Sequence, residues 1–257
     1  MPTRNLVYES LILRARESPG GSRILSLMTA EAGLVDVFVF GGPKSRLRSL
    51  ASPYAAGRAF VYLDPVKDFQ KLSDFEVRDS WPSLRDDLDR LWSAGLVAEF
   101  LTKASGGGGD YPLVLSLALQ CLAALDSCPG GETEPPLLQF LWRFVELLGI
   151  GPDPTACSSC GAELRPSLGG GYSFALEGFL CPSCASRAER SLPLGTGTLR
   201  WLTRVLELSF SDAMRLVVLP ETLATLKVLI FGLARSAAES PLLSLESGNL
   251  GTVSRPR

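Results

Sequence analysis

Four of the six cysteines in this chain form two closely spaced pairs, Cys157 with Cys160 and Cys181 with Cys184. The pairs are 20 residues apart, and the pattern C-x2-C-x20-C-x2-C is typical of four thiolates that hold one metal ion. Each C-x-x-C segment can direct two sulfurs toward one point from a single tight turn. Gly161 can adopt the open backbone conformation that brings N–H groups to the sulfurs. The sequence therefore predicts a metal site.

The ligand set favours zinc over an iron–sulfur cluster or a single iron ion, although thiolates alone do not separate these metals. Four protein ligands leave no coordination position for water or a substrate, so the predicted site is structural. Metal binding would order residues 153–193, a segment too short and polar to fold by itself. Two disulfides are the alternative interpretation, which a chain without a secretion signal disfavours.

The absence of histidine from the 257 residues narrows the possible chemistry. A Ser-His-Asp or Cys-His nucleophile and an H-E-x-x-H metal site are excluded, and no imidazole can act as a base near neutral pH. We therefore expect a protein that is not an enzyme. The remaining enzymatic alternative, redox chemistry at a C-x-x-C pair, is disfavoured because metal-bound thiolates react poorly.

The first 80 residues have the pattern of a small β-barrel. In the first predicted strand, Val7, Leu11 and Leu13 alternate with Ile12, Arg14 and Arg16. Further β-like runs follow at residues 23–28, 34–40, 58–63 and 72–79, with a polar loop predicted at residues 41–52. Five short strands separated by glycine and proline are typical of a closed barrel.

Helical periodicity replaces this pattern after residue 80. Helices are predicted near residues 84–98, 112–126, 138–148, 198–209 and 221–238, and the glycine run at 106–109 is expected to end the first of them. Cys121 lies in an apolar helix and is expected to be a small buried hydrophobe, and Cys128 is assigned no role. The longest apolar stretch, residues 112–125, is shorter than the ~20 residues of a membrane span, so no membrane contact and a cytoplasmic location are expected.

These patterns predict an α+β multidomain protein. It would consist of a barrel at residues 1–80, a helical domain in two parts at 81–152 and 194–240, the cysteine-rich insertion at 153–193, and a C-terminal tail at 241–257.

Basic residues concentrate in the predicted barrel. Residues 1–62 carry eight basic and four acidic residues, a net charge of +4, whereas the other 195 carry 17 basic and 23 acidic residues, a net charge of −6. This asymmetry indicates a nucleic-acid partner. The candidate DNA-binding residues are Arg14, Arg16, Arg23, Lys44, Arg46, Arg48 and Arg58.

The segment Gly41-Gly42-Pro43-Lys44-Ser45-Arg46-Leu47-Arg48 is the strongest part of this basic set. Its three cations occupy alternate positions and would project from one side of an extended loop, an arrangement suited to phosphates. Barrels of the OB type bind single strands through basic grooves and aromatic platforms. Of the aromatic residues on the predicted strands, however, most are expected to fill the core; they are Tyr8, Phe38, Phe60 and Tyr62.

With these features in this order, the chain resembles the RecO family of bacterial recombination-repair mediators. The resemblance is carried by LVYESLILRARESPGGSRILSLMTAEAGLVDVFVFGGPKSRLRSLASPY near the N-terminus, the helical middle and the late cysteine pairs. It implies an N-terminal OB-fold and a C-terminal helical domain with an embedded four-cysteine zinc finger.

The resemblance also implies a function. Such proteins bind single- and double-stranded DNA, anneal complementary strands, and act with RecR to help load RecA onto strands coated by single-stranded DNA-binding protein. A bacterial, nucleoid-associated protein is therefore expected. The alternative is a zinc-stapled scaffold for protein–protein contact with little DNA binding of its own.

Overall fold

The computed structural model describes residues 5–18, 21–42, 44–64, 69–104, 109–129 and 132–247. The chain divides into two compact units, Met1–Gly131 and Glu132–Arg257. The first unit contains a barrel and two long helices, and the second contains the cysteine-rich segment and further helices. Among the described helices, none combines the length and apolar character needed to cross a bilayer. The domain boundaries inferred from the sequence stay a prediction.

Five strands build the barrel: β1 (Asn5–Glu17), β2 (Arg23–Thr29), β3 (Gly33–Val39), β4 (Ala56–Asp64) and β5 (Phe69–Asp79). Strand β1 pairs antiparallel with both β2 and β4, and β3 pairs in parallel with β5 where Phe38 lies beside Lys71. The resulting closed order, β1-β2-β3-β5-β4, confirms the predicted OB-type barrel.

The barrel interior is filled by apolar side chains that recur at alternate strand positions. They include Tyr8, Ile12, Leu25, Leu27, Val35, Val37, Val39, Ala59, Val61, Leu72 and Phe75. The sequence pattern placed Ile12 with Arg14 and Arg16 on the polar face, and this was wrong. A bulge between Ile12 and Arg14 shifts the register, so Ile12 points inward while Val7 is 50% exposed.

The predicted loop at residues 41–52 contains a short helix, α1 (Arg46–Leu50). Two long helices follow in this unit, α2 (Leu88–Ala104) and α3 (Tyr111–Ser127). The ring of Tyr111 lies against Gly33, where an added Cβ would come within 2.8 Å of it. Helix α3 therefore begins in close contact with the first residue of β3. Cys121 is buried in α3 as predicted, and its burial raises the pKa of its thiol.

The second unit combines helices with a small sheet. Its elements are α4 (Glu134–Leu147), β6 (Gly170–Ser173), β7 (Gly178–Leu180), α5 (Pro182–Ala185), β8 (Leu192–Leu194), α6 (Thr196–Glu207), α7 (Phe210–Ala213), α8 (Pro220–Ala237) and α9 (Leu243–Ser247). Trp142 of α4 is buried, and its indole N–H donates to the Leu202 carbonyl of α6 at 3.0 Å. The Phe174 ring, just after β6, lies so close to Gly232 of α8 that an added Cβ would be 2.3 Å away. The first contact joins α4 to α6, and the second places the cysteine-rich segment against α8.

Substitution of Gly57 should destabilise the barrel. A Cβ at this position would lie 2.0 Å from the backbone oxygen of Glu76, which cannot move without distorting β5. We expect Gly57→Ala to lower the free energy of unfolding by about 2 kcal/mol, measured by urea denaturation followed by circular dichroism. Gly42→Ala is the matched control, since nothing lies within 4 Å of its added Cβ. Equal stability of the two variants would contradict the described packing of β4 against β5.

Candidate metal centre and nucleic-acid interface

The first cysteine pair is held by a tight turn. The N–H of Gly161 donates to the Cys157 carbonyl at 2.8 Å, and Gly161 has a φ of +72°, the open conformation that the sequence predicted for it. The Cys157 N–H donates to the Ala162 carbonyl at 2.8 Å, and the Ser158 N–H donates to the Phe179 carbonyl at 2.9 Å. The turn is thus attached to strand β7.

The second cysteine pair lies at the start of α5. Cys181 precedes the first turn of this helix and Cys184 lies within it, and the Cys184 N–H donates to the Cys181 carbonyl at 3.1 Å. Because Cys181 directly follows β7, the strand that holds the first turn also leads into the second pair. One strand therefore places both pairs.

The four thiols converge on one point. Their sulfurs all lie within 4.8 Å of one another, and those of Cys160 and Cys181 are 3.9 Å apart. A tetrahedral site with metal–sulfur bonds of about 2.3 Å separates its sulfurs by about 3.8 Å, so the cluster has suitable dimensions for a metal ion. Among the described residues, which include all six cysteines, none is in a disulfide.

Backbone N–H groups stabilise negative charge on the first of these sulfurs. Burial alone would raise the pKa of the Cys157 thiol, but hydrogen bonds from the N–H groups of Cys181, Cys160 and Ser159 outweigh burial and lower this pKa to about 6. The Cys181 N–H lies 3.3 Å from the Cys157 sulfur. Such bonds favour the thiolate, the form that a metal ion requires. The cluster can therefore hold a metal ion, and four sulfurs would fill a tetrahedral coordination shell.

Loss of one sulfur should release the metal. We expect Cys157→Ser to reduce the metal content per chain to near zero and to destabilise the second unit, because the two turns would lose their common ligand. Elemental analysis and thermal unfolding check this. Cys128→Ser is the control, since Cys128 is outside the cluster. Wild-type protein purified without chelator that contains no metal would contradict the site.

The candidate DNA-binding cations divide into different environments, and Arg48 is not on the surface. Its side chain is only 7% exposed. One terminal nitrogen donates to the carbonyls of Gly21 and Gly41, each at 3.0 Å, and the other donates to both carboxylate oxygens of Glu17 at 2.7 and 2.8 Å. The extended arrangement predicted for Lys44, Arg46 and Arg48 was wrong, because residues 46–50 are helical and turn Arg48 inward.

Three further cations are paired with acids on the barrel surface. Arg16 contacts Asp36 at 2.7 Å, Arg23 contacts Glu17 at 2.9 Å, and Arg58 contacts Glu9 at 3.0 Å. Hydrogen bonds from Arg23 and Arg48 lower the pKa of the Glu17 carboxyl, and the hydrogen bond from Arg58 lowers that of Glu9. These acids therefore remain charged at neutral pH and offset part of the positive field of the barrel.

Arg14, Lys44 and Arg46 are exposed, as Arg16 and Arg58 are, but they differ from those two in their partners. Within the described ranges, none of the three forms a salt bridge. Lys44 and Arg46 lie just after β3, whereas Arg14 is on the outer wall of β1. Lys44 and Arg46 thus lie two residues apart on one segment, whereas Arg58 lies on β4, beside Glu9 and Glu76.

An aromatic cluster on the outer wall is absent from the sequence-based site. Phe38, Phe40 and Phe69 surround one another, with ring centroids 5.3 to 6.4 Å apart, and Phe40 is 48% exposed. The expectation that most of Tyr8, Phe38, Phe60 and Tyr62 fill the core was wrong. Of these four, Tyr8 alone is in the core, and the other three are partly exposed. The alternation of Val37 and Val39 with Phe38 and Phe40 was the signal that could have shown it.

The part of the chain that follows the barrel matches a known family. The family model described as "Recombination protein O C terminal" matches residues 85–246. A protein of Anaeromyxobacter dehalogenans named DNA repair protein RecO is 31% identical over 204 residues, which are 77% of this chain and 77% of the relative. The chain belongs to the RecO family.

Other RecO proteins match a similar share of this chain. The protein of Desulforudis audaxviator is 30% identical over 77% of this chain and 78% of its own length, and that of Desulforamulus reducens is 27% identical over 80% and 82%. Each is also named DNA repair protein RecO. Membership of the RecO family supports a role in DNA repair for this chain. The barrel and the cysteine cluster, both predicted from the sequence, are present in the structure.

The buried position of Arg48 predicts a role in stability. Arg48→Met removes four hydrogen bonds that join β1 and the segments before β2 and α1, and we expect the free energy of unfolding to fall by about 2 kcal/mol. Arg46→Met, an exposed cation two residues away, should leave stability within about 0.5 kcal/mol of wild type. Urea denaturation of both variants measures the difference. An Arg48→Met variant with the same free energy of unfolding as wild type would refute the structural role of Arg48.

Proposed function

We propose that this chain is a non-enzymatic mediator of DNA repair and recombination. It binds single- and double-stranded DNA, anneals complementary strands and, with RecR, helps load RecA onto strands coated by single-stranded DNA-binding protein. The observation that carries this proposal is an OB-type barrel in a RecO-family chain, with surface cations just after β3 that form no salt bridge to any described residue. The place of action is the bacterial cytoplasm at the nucleoid.

Lys44 and Arg46 are the primary phosphate contacts in this proposal. Their charges are exposed and form no salt bridge among the described residues, so a phosphate need not displace a carboxylate. Arg14 adds a third such charge on β1. Arg16, Arg23 and Arg58 contribute more weakly, because Asp36, Glu17 and Glu9 compete for them. Arg48 contributes indirectly, by holding the segment from which Lys44 and Arg46 project.

The cysteine cluster holds one structural zinc ion in this proposal. Four thiolates without another protein ligand form a common zinc site, and the cluster is large enough for it. When bound, zinc supplies a cross-link between the turn at Cys157 and helix α5, and the chain's own sulfurs complete its coordination. If elemental analysis finds iron in place of zinc, the assignment of the metal changes, but the structural role of the site does not.

Charge reversal tests the DNA-binding part. We expect Lys44→Glu/Arg46→Glu to weaken binding to single- and double-stranded DNA alike. The slope of log affinity against log salt on single strands should fall by about 1.4, since two phosphate contacts are lost. Annealing of complementary oligonucleotides, free and coated by single-stranded DNA-binding protein, should slow in parallel.

Arg190→Glu/Arg200→Glu is the matched control. It makes the same change in net charge at two exposed positions in the second unit. If both double variants weaken DNA binding equally, the effect is one of net charge and the assigned site is wrong. If Lys44→Glu/Arg46→Glu leaves DNA binding unchanged but abolishes RecR binding, the chain is a zinc-stapled scaffold for protein contacts.

A further inference from the structure

Three phenylalanine rings on the outer wall of the barrel have no evident role in its folding. Phe38 lies in β3 and Phe40 directly follows it, and their neighbours Val37 and Val39 point inward and fill the core. The rings lie on the opposite side of the strand and, with Phe69 of β5, form a cluster that is partly open to water. The barrel core is complete without them, so their retention on the surface suggests a binding partner.

The strand register places this cluster in a row of mixed chemistry. Successive pairs join Arg16 to Ile24, Ile24 to Phe38, Phe38 to Lys71, and Lys71 to Tyr62. Neighbouring strands are about 4.8 Å apart, so the five residues span about 19 Å across the barrel wall. The row therefore contains both cations and aromatic rings.

The charge in this row lies directly beside the rings. The Lys71 amine is 5.6 Å from the centroid of the Phe40 ring. A cation so placed can contact the phosphate of a nucleotide whose base stacks on the ring. Asp36, which pairs with Arg16 at 2.7 Å, is the acid near the opposite end of the row. At the other end, Asp64 is the cross-strand partner of Phe69. The phosphate contact beside the rings is therefore assigned to Lys71, whose amine lies over the Phe40 ring.

We propose that Phe40 and Phe69 form a stacking platform for unpaired bases, with Lys71 contacting the adjacent phosphate. This inference rests on the proposed DNA-binding function and specifies its ligand as single-stranded nucleic acid. A duplex cannot use the platform, because its bases are already stacked on one another. A strand held there during annealing would therefore lose these contacts once it pairs, and the duplex product would be held by phosphate contacts alone.

The test compares three ligands of equal length: an oligothymidylate, an abasic deoxyribose-phosphate oligomer and a duplex. We expect Phe40→Ala/Phe69→Ala to weaken oligothymidylate binding roughly tenfold or more, because each stacked base contributes substantially to affinity. Binding of the abasic oligomer and of the duplex should stay within about twofold of wild type, since neither offers an unpaired base. Leu34→Ala is the matched control, a 38% exposed residue on the same strand and outside the cluster.

A conservative variant keeps the inference testable if the double alanine variant fails to fold. Phe40→Trp retains an aromatic face, so it should bind oligothymidylate at least as well as wild type, and its added fluorescence should be quenched by oligothymidylate but not by the abasic oligomer. Absence of this selective quenching would overturn the platform.

The remaining outcomes separate this inference from the proposed function. If Phe40→Ala/Phe69→Ala weakens the binding of all three ligands equally, or changes the binding of none, base stacking on these rings is overturned. The proposed DNA-binding function is not affected by either result. Loss of RecR binding with unchanged oligothymidylate binding would show a protein-docking surface instead and would also overturn it. A wild-type protein that binds none of the three ligands would overturn the proposed function itself.

Discussion

Closure of the barrel determines which side chains of the first unit can reach a ligand. Because β1 pairs with both β2 and β4 and β3 pairs with β5, each of these strands has one side facing the core. Inward positions must be apolar, and the outward positions between them are free to carry charge or aromatic rings. Arg14, Phe38 and Lys71 all reach the surface for this reason. The chemistry of the wall is thus set by strand register.

The cysteine cluster acts by a different principle in the second unit. Residues between the two pairs form one 3-10 turn (Pro166–Leu168) and two short strands, which are too small to be stable without a cross-link. The cluster joins the turn at Cys157 to helix α5, and the close approach of Phe174 to Gly232 joins the same segment to α8. A bound metal and an aromatic contact would thereby hold this segment at two separate points.

Local patterns in the sequence predicted much of this structure, and long-range contacts account for what they missed. The spacing of Cys157, Cys160, Cys181 and Cys184 predicted the cluster, because ligand geometry restricts spacing so strongly. Alternation predicted the strands, but it could not show the bulge after Ile12, since a bulge depends on the partner strand. Arg48 looked like its exposed neighbours because two of its partners, Glu17 and Gly21, are 27 or more residues away.

Arg48 also shows that counting basic residues is a poor guide to how strongly a barrel attracts polyanions. Its charge is paired with a carboxylate inside the protein, and its hydrogen bonds join the end of β1 and Gly21 to the segment after β3. Two relatives with the same number of arginines can therefore present quite different electric fields to solvent. A comparison of such barrels gains meaning only after the cations with internal carboxylate partners have been subtracted.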